Sequence, residues 1–203
     1  MRLRIPLAAL VLFAFAVALS AVAWSGRLMP GDLYLAHRAQ DTPHGATLED
    51  LSRWVYAARF IVFAVAAALS LRARERTPTL VAVLALLALA TNPVLKDFID
   101  RPRPGAAQVV LREHPGGSGF PSGHAMASTL LFGYAAFVAM RTLPRAWAAL
   151  LTLAAAAIVA LVCWQRVYAG AHWPSDVAGG IAIAALLLLA CVAISRAAWR
   201  VVR

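Results

Sequence analysis

The sequence predicts an all-α integral membrane protein, a single bundle of six transmembrane helices with the N and C termini both cytoplasmic. Three observations predict it. Of the 203 residues, 62% are apolar and only 14% are charged, and the mean hydropathy is +0.74, well outside ordinary soluble usage. The apolar residues fall into six runs near the length that crosses a hydrocarbon core of about 30 Å as a helix, the open-chain form that satisfies its own backbone in lipid. The basic residues concentrate in alternate connections, as the positive-inside rule requires.

The expected spans are 5–24, 54–71, 78–95, 125–140, 146–163 and 177–194. Ahead of the first, Met1-Arg2-Leu3-Arg4 and the later Ala21-Val22-Ala23 resemble a secretory leader and its cleavage site. The apolar run is longer than the usual leader core of about 7–15 residues, so a retained first span is expected. Arg59 lies close enough to one end of the second span to snorkel to the interface. Thr77-Pro78 reads as an N-cap and first-turn proline that start the third. Several runs are short, which tilt or local bilayer thinning accommodates. Cys163 and Cys191 fall inside the fifth and sixth spans and read as buried small apolar residues rather than a disulfide or metal pair.

Orientation follows from charge. Arg2, Arg4, Arg72, Arg74, Arg76, Arg141, Arg145, Arg196, Arg200 and Arg203 share one side with Glu75, ten basic residues less one acid, or +9. The other side holds Arg27, Arg38, Arg53, Lys96, Arg101, Arg103, Arg112 and Arg166 against eight acids, and sums to zero. The first side is therefore expected to be cytoplasmic. Topology accounts for the net charge of +10, so nucleic acid is not an expected partner.

Two outer connections, 25–53 and 96–120, exceed what helix packing requires, and function concentrates in long ordered loops. In the first, Leu33, Tyr34, Leu35, Leu48, Leu51 and Trp54 fit either a short interfacial helix in the headgroup layer or a partly ordered linker. The second ends in Gly116-Gly117-Ser118-Gly119, which lets the chain turn sharply before the fourth span. His37, His44 and His114 read as solvated loop residues.

Against so apolar a background, three outer segments (96–104, 121–124 and 166–176) describe a site for an anion, and phosphate fits best. Lys96 and Arg103-Pro104 would set an ammonium and a planar guanidinium above the membrane, the latter suited to bidentate phosphate contacts, although interfacial snorkelling is the plainer alternative. Arg101 is set aside because only Arg103 has the spacing discussed next. Pro121-Ser122-Gly123-His124 precedes the fourth span, so Ser122 falls near the N-cap and free backbone N–H groups point outward; a cap with an incidental histidine is the alternative. Gly123 allows close approach of phosphate, and His124 is able to carry a proton to a leaving oxygen. Asp176 lies four residues after His172, so once a helix begins near Pro174 the carboxylate reaches and orients the imidazole, which is then a competent nucleophile. A capping Asp beside a structural His is the alternative there. Arg166 adds a third cation.

Together the segments resemble the signature of the phosphatidic acid phosphatase type 2 superfamily: Lys, six residues, Arg-Pro; Pro-Ser-Gly-His; and Ser-Arg, five residues, His, three residues, Asp. The one departure is Gln165, where the pattern has Ser. The resemblance implies a six-span fold with its active site at the outer face. It makes His172 the nucleophile that forms a phosphohistidine, Asp176 its holder, and His124 the acid for the leaving oxygen and later the base for water. It assigns the phosphate oxygens to Lys96, Arg103, Ser122, Gly123 and Arg166. No metal and no other cofactor is implied, and no added carboxylate or histidine cluster accompanies the motifs.

The expected function is thus metal-independent hydrolysis of a membrane lipid phosphate or diphosphate at the outer face of the plasma membrane. Undecaprenyl diphosphate is the leading substrate, because the outward site and short chain resemble small bacterial carrier-lipid phosphatases. Phosphatidylglycerophosphate, phosphatidate and lipid A phosphates share the same headgroup chemistry. A lipid phosphotransferase is the near alternative, and a non-catalytic lipid transporter is the alternative of another class. Membrane lipids are the expected partners; the oligomeric state is not specified by the sequence.

Overall fold

A computed structural model describes residues 7–201, with no strand among them. In chain order the helices are α1 (Leu7–Trp24), α2 (Asp32–Gln40), α3 (Gly45–Ala57), α4 (Arg59–Arg72), α5 (Arg76–Ala88), α6 (Thr91–Ile99), α7 (Gly123–Thr142), α8 (Arg145–Tyr168) and α9 (Pro174–Val201). Six segments are long and apolar enough to cross a membrane: Leu7–Trp24, Gly45–Arg72, Arg76–Ile99, Gly123–Thr142, Arg145–Tyr168 and Pro174–Ala198. Residues 5 and 6 of the first expected span, with Arg2, Arg4 and Arg203, lie outside the described residues.

The helices run past the apolar segments that announce them. The second membrane-length segment starts at Gly45 rather than at 54 and spans 28 residues, roughly 42 Å of helix at 1.5 Å per residue. Its added turns, α3, carry Glu49, Asp50 and Arg53 among Leu48 and Leu51, a polar composition that hydropathy alone does not count as a span. The first long connection therefore holds two helices, α2 and α3, and α3 runs on into the membrane. The third segment is broken between α5 and α6 around Leu89 and Ala90. Pro93 explains the break: it lacks the N–H that would bond the Leu89 carbonyl, and its ring crowds that same group. The helix begins at Arg76 with Glu75 at the cap position, so Thr77 is not the cap and Pro78 sits in the first turn, where its missing donor costs nothing.

α7 is the most enclosed of the six segments and packs against α8, α9, α4 and α5. Its Leu131, Tyr134 and Val138 meet Phe63, Val81, Ala85 and Cys191 in one apolar cluster; Cys163 and Cys191 are both free and buried. Large apolar side chains such as Leu10, Phe13, Ile61, Val65, Trp147 and Leu153 point outward, the inverse of a soluble protein and a surface suited to lipid. At one end of the bundle Arg141 pairs with Glu75 at 3.1 Å, and Ser195 Oγ donates to the Thr77 carbonyl. All three expected motif segments lie at the other end.

The 120–122 turn rests directly on α9. A Cβ at Gly179 would fall 2.2 Å from Phe120 Cε2, and one at Gly180 would fall 2.8 Å from the Ser122 carbonyl oxygen. Phe120 is fully buried, so its ring has nowhere to retreat. Gly179→Ala is expected to destabilise the bundle by about 1–3 kcal/mol through overpacking, read as a lower unfolding midpoint in detergent; an unchanged midpoint would show that the turn can lift from α9.

Candidate active site

The turn after α8 folds back on itself: the backbone N–H groups of Ala171 and His172 both donate to the Arg166 carbonyl, at 3.1 and 3.2 Å. This presents His172, 4% exposed, toward the N-terminus of α9 and Asp176, which is 0% exposed. His172 Nδ1 lies 3.6 Å from Asp176 Oδ2, one small adjustment beyond a hydrogen bond, and has no other partner. On the ring's far side Arg103 Nη1 stands 3.1 Å from Nε2. A guanidinium can only donate, so Nε2 presents its lone pair and the proton of the neutral ring sits on Nδ1, toward Asp176. Burial holds the imidazole below the usual histidine value, against the opposing pull of Asp176. A neutral ring with Nε2 free of hydrogen is the nucleophilic form.

The cations of the first segment converge on the same place. Lys96, at the end of α6, donates Nζ to the Ser118 carbonyl at 2.7 Å. Arg103 donates Nη1 to the Ala171 carbonyl, Nε to Gly117 and Nη2 to Gly116. The glycine-rich 116–119 stretch thus wraps both side chains with main-chain oxygens. Burial lowers the Arg103 guanidinium from its ordinary value, with Asp176 opposing.

Ser122 occupies the N-cap position of α7 as expected, yet its side chain makes no capping bond; the hydroxyl is buried without a partner. Instead its backbone N–H donates to the Asp176 carbonyl at 3.0 Å. Gly123 is required by crowding, because a Cβ there would lie 2.8 Å from Asn92 Oδ1. Next to it the His124 ring stacks on Tyr56, centroids 4.2 Å apart. The Arg59 guanidinium carbon lies 3.6 Å from the centroid of the Tyr56 ring, with Nη1 donating to the Tyr56 carbonyl. Arg59 thus reaches back toward the N-terminal, site-side end of its helix. His124 sits in the field of Arg166, His172, Glu113 and Arg59.

Arg166 is buried near the end of α8 and is already occupied. Glu113 grips it with both oxygens, each at 2.9 Å, and Gln165 Oε1 accepts from its Nε at 2.6 Å. Gln165 in turn donates to Glu49 and Glu113. The residue that departs from the family pattern thus does more than alter one contact: its longer amide ties two carboxylates to the clamp. Burial would raise the Glu113 carboxyl, but its hydrogen bonds and charge pairing with Arg166 prevail and hold it below the usual range. It is ionised at neutral pH and competes with any phosphate for this arginine. Glu113→Gln is expected to tighten competitive inhibition by inorganic phosphate about threefold to tenfold, measured as Ki; an unchanged Ki would mean that phosphate does not displace it.

Besides Glu113, the sequence reading left Arg101 and Asp32 out of the site. Arg101, set aside on spacing, is 1% exposed and donates Nη1 to Asp176 Oδ1 at 2.5 Å and Nη2 to Asp32 Oδ2 at 3.0 Å. The repeated Arg-Pro at 101–104 was the available signal for it; Asp32, in a distant loop, offered none. The three other histidines, His37, His44 and His114, are all exposed; His37 lies on α2, not in a loop, and pairs through Nε2 with the Gln108 carbonyl at 2.8 Å.

Fold and site together define an integral membrane protein with a histidine–aspartate pair amid buried cations at one end of a six-span bundle. The PAP2 superfamily profile matches residues 77–200, and the chain belongs to that superfamily. It is similar to phosphatidylglycerophosphatase B of Bacillus subtilis, 36% identical over 98 residues that make up 47% of each protein. It is similar as well to human sphingosine-1-phosphate phosphatase 2, 36% identical over 108 residues, 51% of this chain and 26% of the relative. The matched stretch thus spans half or less of these relatives' length. Among solved structures, the transmembrane PAP2-type phosphatidylglycerolphosphate phosphatase from Bacillus subtilis shares the fold with a TM-score of 0.73 at 24% identity, covering 93% of this chain and 96% of that one. Aquifex aeolicus LpxE aligns with a TM-score of 0.56 at 22% identity, covering 82% and 95%.

Proposed function

We propose that the chain is a metal-independent phosphatase of membrane lipid phosphates, acting through a phosphohistidine on His172. The observation that carries this reading is the state of that imidazole: buried, with Nε2 unprotonated against Arg103 and Nδ1 directed at Asp176. Phosphate oxygens would exchange for the internal acceptors now held by Lys96, Arg103 and Arg166, and would meet the unpartnered Ser122 hydroxyl and the N–H groups that open α7 at Gly123. Nε2 attacks the terminal phosphorus, the N–P bond forms, and the bond to the leaving oxygen, the bridging oxygen of a diphosphate or the ester oxygen of a monophosphate, breaks as His124 supplies that oxygen's proton. Water deprotonated by His124 then attacks phosphorus, the N–P bond breaks, and inorganic phosphate leaves.

The site end is proposed to face the exterior or periplasm, with both termini cytoplasmic, on the distribution of basic residues. Undecaprenyl diphosphate is the proposed substrate; the relatives' names make phosphatidylglycerophosphate and sphingosine-1-phosphate comparisons to include, and a lipid A phosphate shares the same headgroup chemistry. Purified protein assayed against these lipids and phosphatidate, reading inorganic phosphate, tests the reading. Release from none of them, or transfer only to a second lipid, would overturn hydrolysis. Burial holds His172 below its ordinary value, so it gains a proton, and activity is expected to fall, only on acidification below about 6.5. A kcat/KM that rises on acidification from about pH 7 to 5 would count against the neutral imidazole as the nucleophile.

A further inference from the structure

We infer that Arg101 is a positioning residue for the nucleophile, clamping one oxygen of Asp176 so that the other is left to orient the His172 imidazole, and dividing its charge between Asp176 and Asp32. The inference rests on the proposed role of His172. Asp32 is 2% exposed and Ser175 6%, so the whole assembly is out of solvent, where an ion pair is tolerated only if its donors and acceptors are met. They are met here. Arg101 Nη1 bonds Ser175 Oγ and Asp176 Oδ1, while Nη2 bonds the Arg27 carbonyl and Asp32 Oδ2. Asp32 Oδ1 accepts from the Ser175 backbone N–H, and its Oδ2 accepts from Ser175 Oγ and the Met29 N–H. The arginine backbone is itself fixed, N–H to Ser118 Oγ and carbonyl to the Gly119 N–H.

The consequence falls on one atom. With Oδ1 held by Arg101, Asp176 Oδ2 keeps only the Trp173 N–H at 2.9 Å and the His172 Nδ1 beyond it. Rotation of the carboxylate would break a bond at each end, so the direction presented to the imidazole is set from the far side of Asp176. A bridge from one cation to two separate carboxylates uses the fork of a guanidinium; an ammonium at the end of a lysine has no such fork. The charge matters as well. His172 faces Asp176 on α9, Arg103 on the 100–122 loop, Lys96 on α6 and His124 on α7. Arg101 offsets part of the negative field that Asp176 exerts on the ring, and Asp32 draws off part of that offset.

Two variants of the full chain in detergent separate these effects, with His172 titrated by NMR of its ring carbon and kcat and KM measured on the lipid that the wild type hydrolyses. Asp32→Asn keeps the size of the side chain, removes its charge and one of its two acceptor oxygens, and leaves Arg101 a single carboxylate, so the His172 midpoint is expected to fall by about half to one pH unit. Arg101→Lys keeps the charge and loses the fork, so kcat is expected to fall about tenfold or more with KM little changed. A midpoint that stays or rises in Asp32→Asn, or a wild-type kcat in Arg101→Lys, would overturn the inference. Should Arg101→Lys fail to fold, the Asp32→Asn midpoint decides alone. If no lipid yields phosphate while the midpoint moves as stated, the phosphatase reading falls and the coupling of Arg101 to His172 stands.

Discussion

His172→Ala is expected to lower phosphate release by at least about 10³-fold while the bundle stays folded. The loss is large because no neighbouring group can replace the missing one: Arg103, Lys96 and Arg166 are donors only, and His124 is stacked on Tyr56. The fold should survive because Asp176, the buried charge that the deletion exposes to a void, keeps Arg101 on Oδ1 and the Trp173 N–H on Oδ2. Inorganic phosphate release and the thermal midpoint, measured on the same preparation, separate the two. A chelator added to the wild type should leave its rate unchanged. Activity surviving in His172→Ala would sink the phosphohistidine mechanism, and a chelator that abolishes wild-type turnover would sink its metal independence.

His124→Ala carries the second-largest expected loss, about 10²–10⁴-fold on a lipid whose alkoxide is a poor leaving group. Its diagnostic value lies in an artificial substrate. An aryl phosphate with a stable phenolate needs little help from an acid, so Nε2 of His172 should still attack and the phosphoenzyme should form. Hydrolysis of that intermediate needs a base for water and should stay slow. Mixing His124→Ala with such a substrate is therefore expected to give a burst near one equivalent of phenolate and a labelled, acid-labile phosphoprotein. A burst equally absent from variant and wild type, with no label on either, would remove His124 from the role of proton carrier.

The six spans were legible because lipid imposes one requirement, apolar length, that a sequence states openly. Their ends were less so. The polar turns of α3 look like a loop until Gly45 is seen packed against the Tyr168 ring on α8, a long-range contact without periodic trace. In the site, residues joined by fixed spacing were readable: the four-residue step from His172 to Asp176 and the cap position of Ser122 are local geometry. What spacing could not show was who holds the holders. Asp32 and Arg101 lie 69 residues apart, Glu113 and Arg166 53, and each pair exists only because a connecting loop folds over the bundle mouth. The grip of Glu113 on Arg166 reverses the simple expectation of an open cation ring. The proposed phosphate clamp holds internal carboxylate and carbonyl oxygens instead.

The resting of the 120–122 turn on Gly179 and Gly180, with the Ser122 N–H bonded to the Asp176 carbonyl, has a consequence for how this protein could diverge. The proposed proton donor and nucleophile holder sit at two helix starts, α7 and α9, that this bond stitches together, whereas Lys96, Arg103 and Glu113 belong to the end of α6 and the chain that follows it. On the proposed roles, turnover and affinity are written on different pieces of chain. Changes in the 96–119 region can retune which phosphate is held and how tightly, while the pair of glycines keeps acid and base in register.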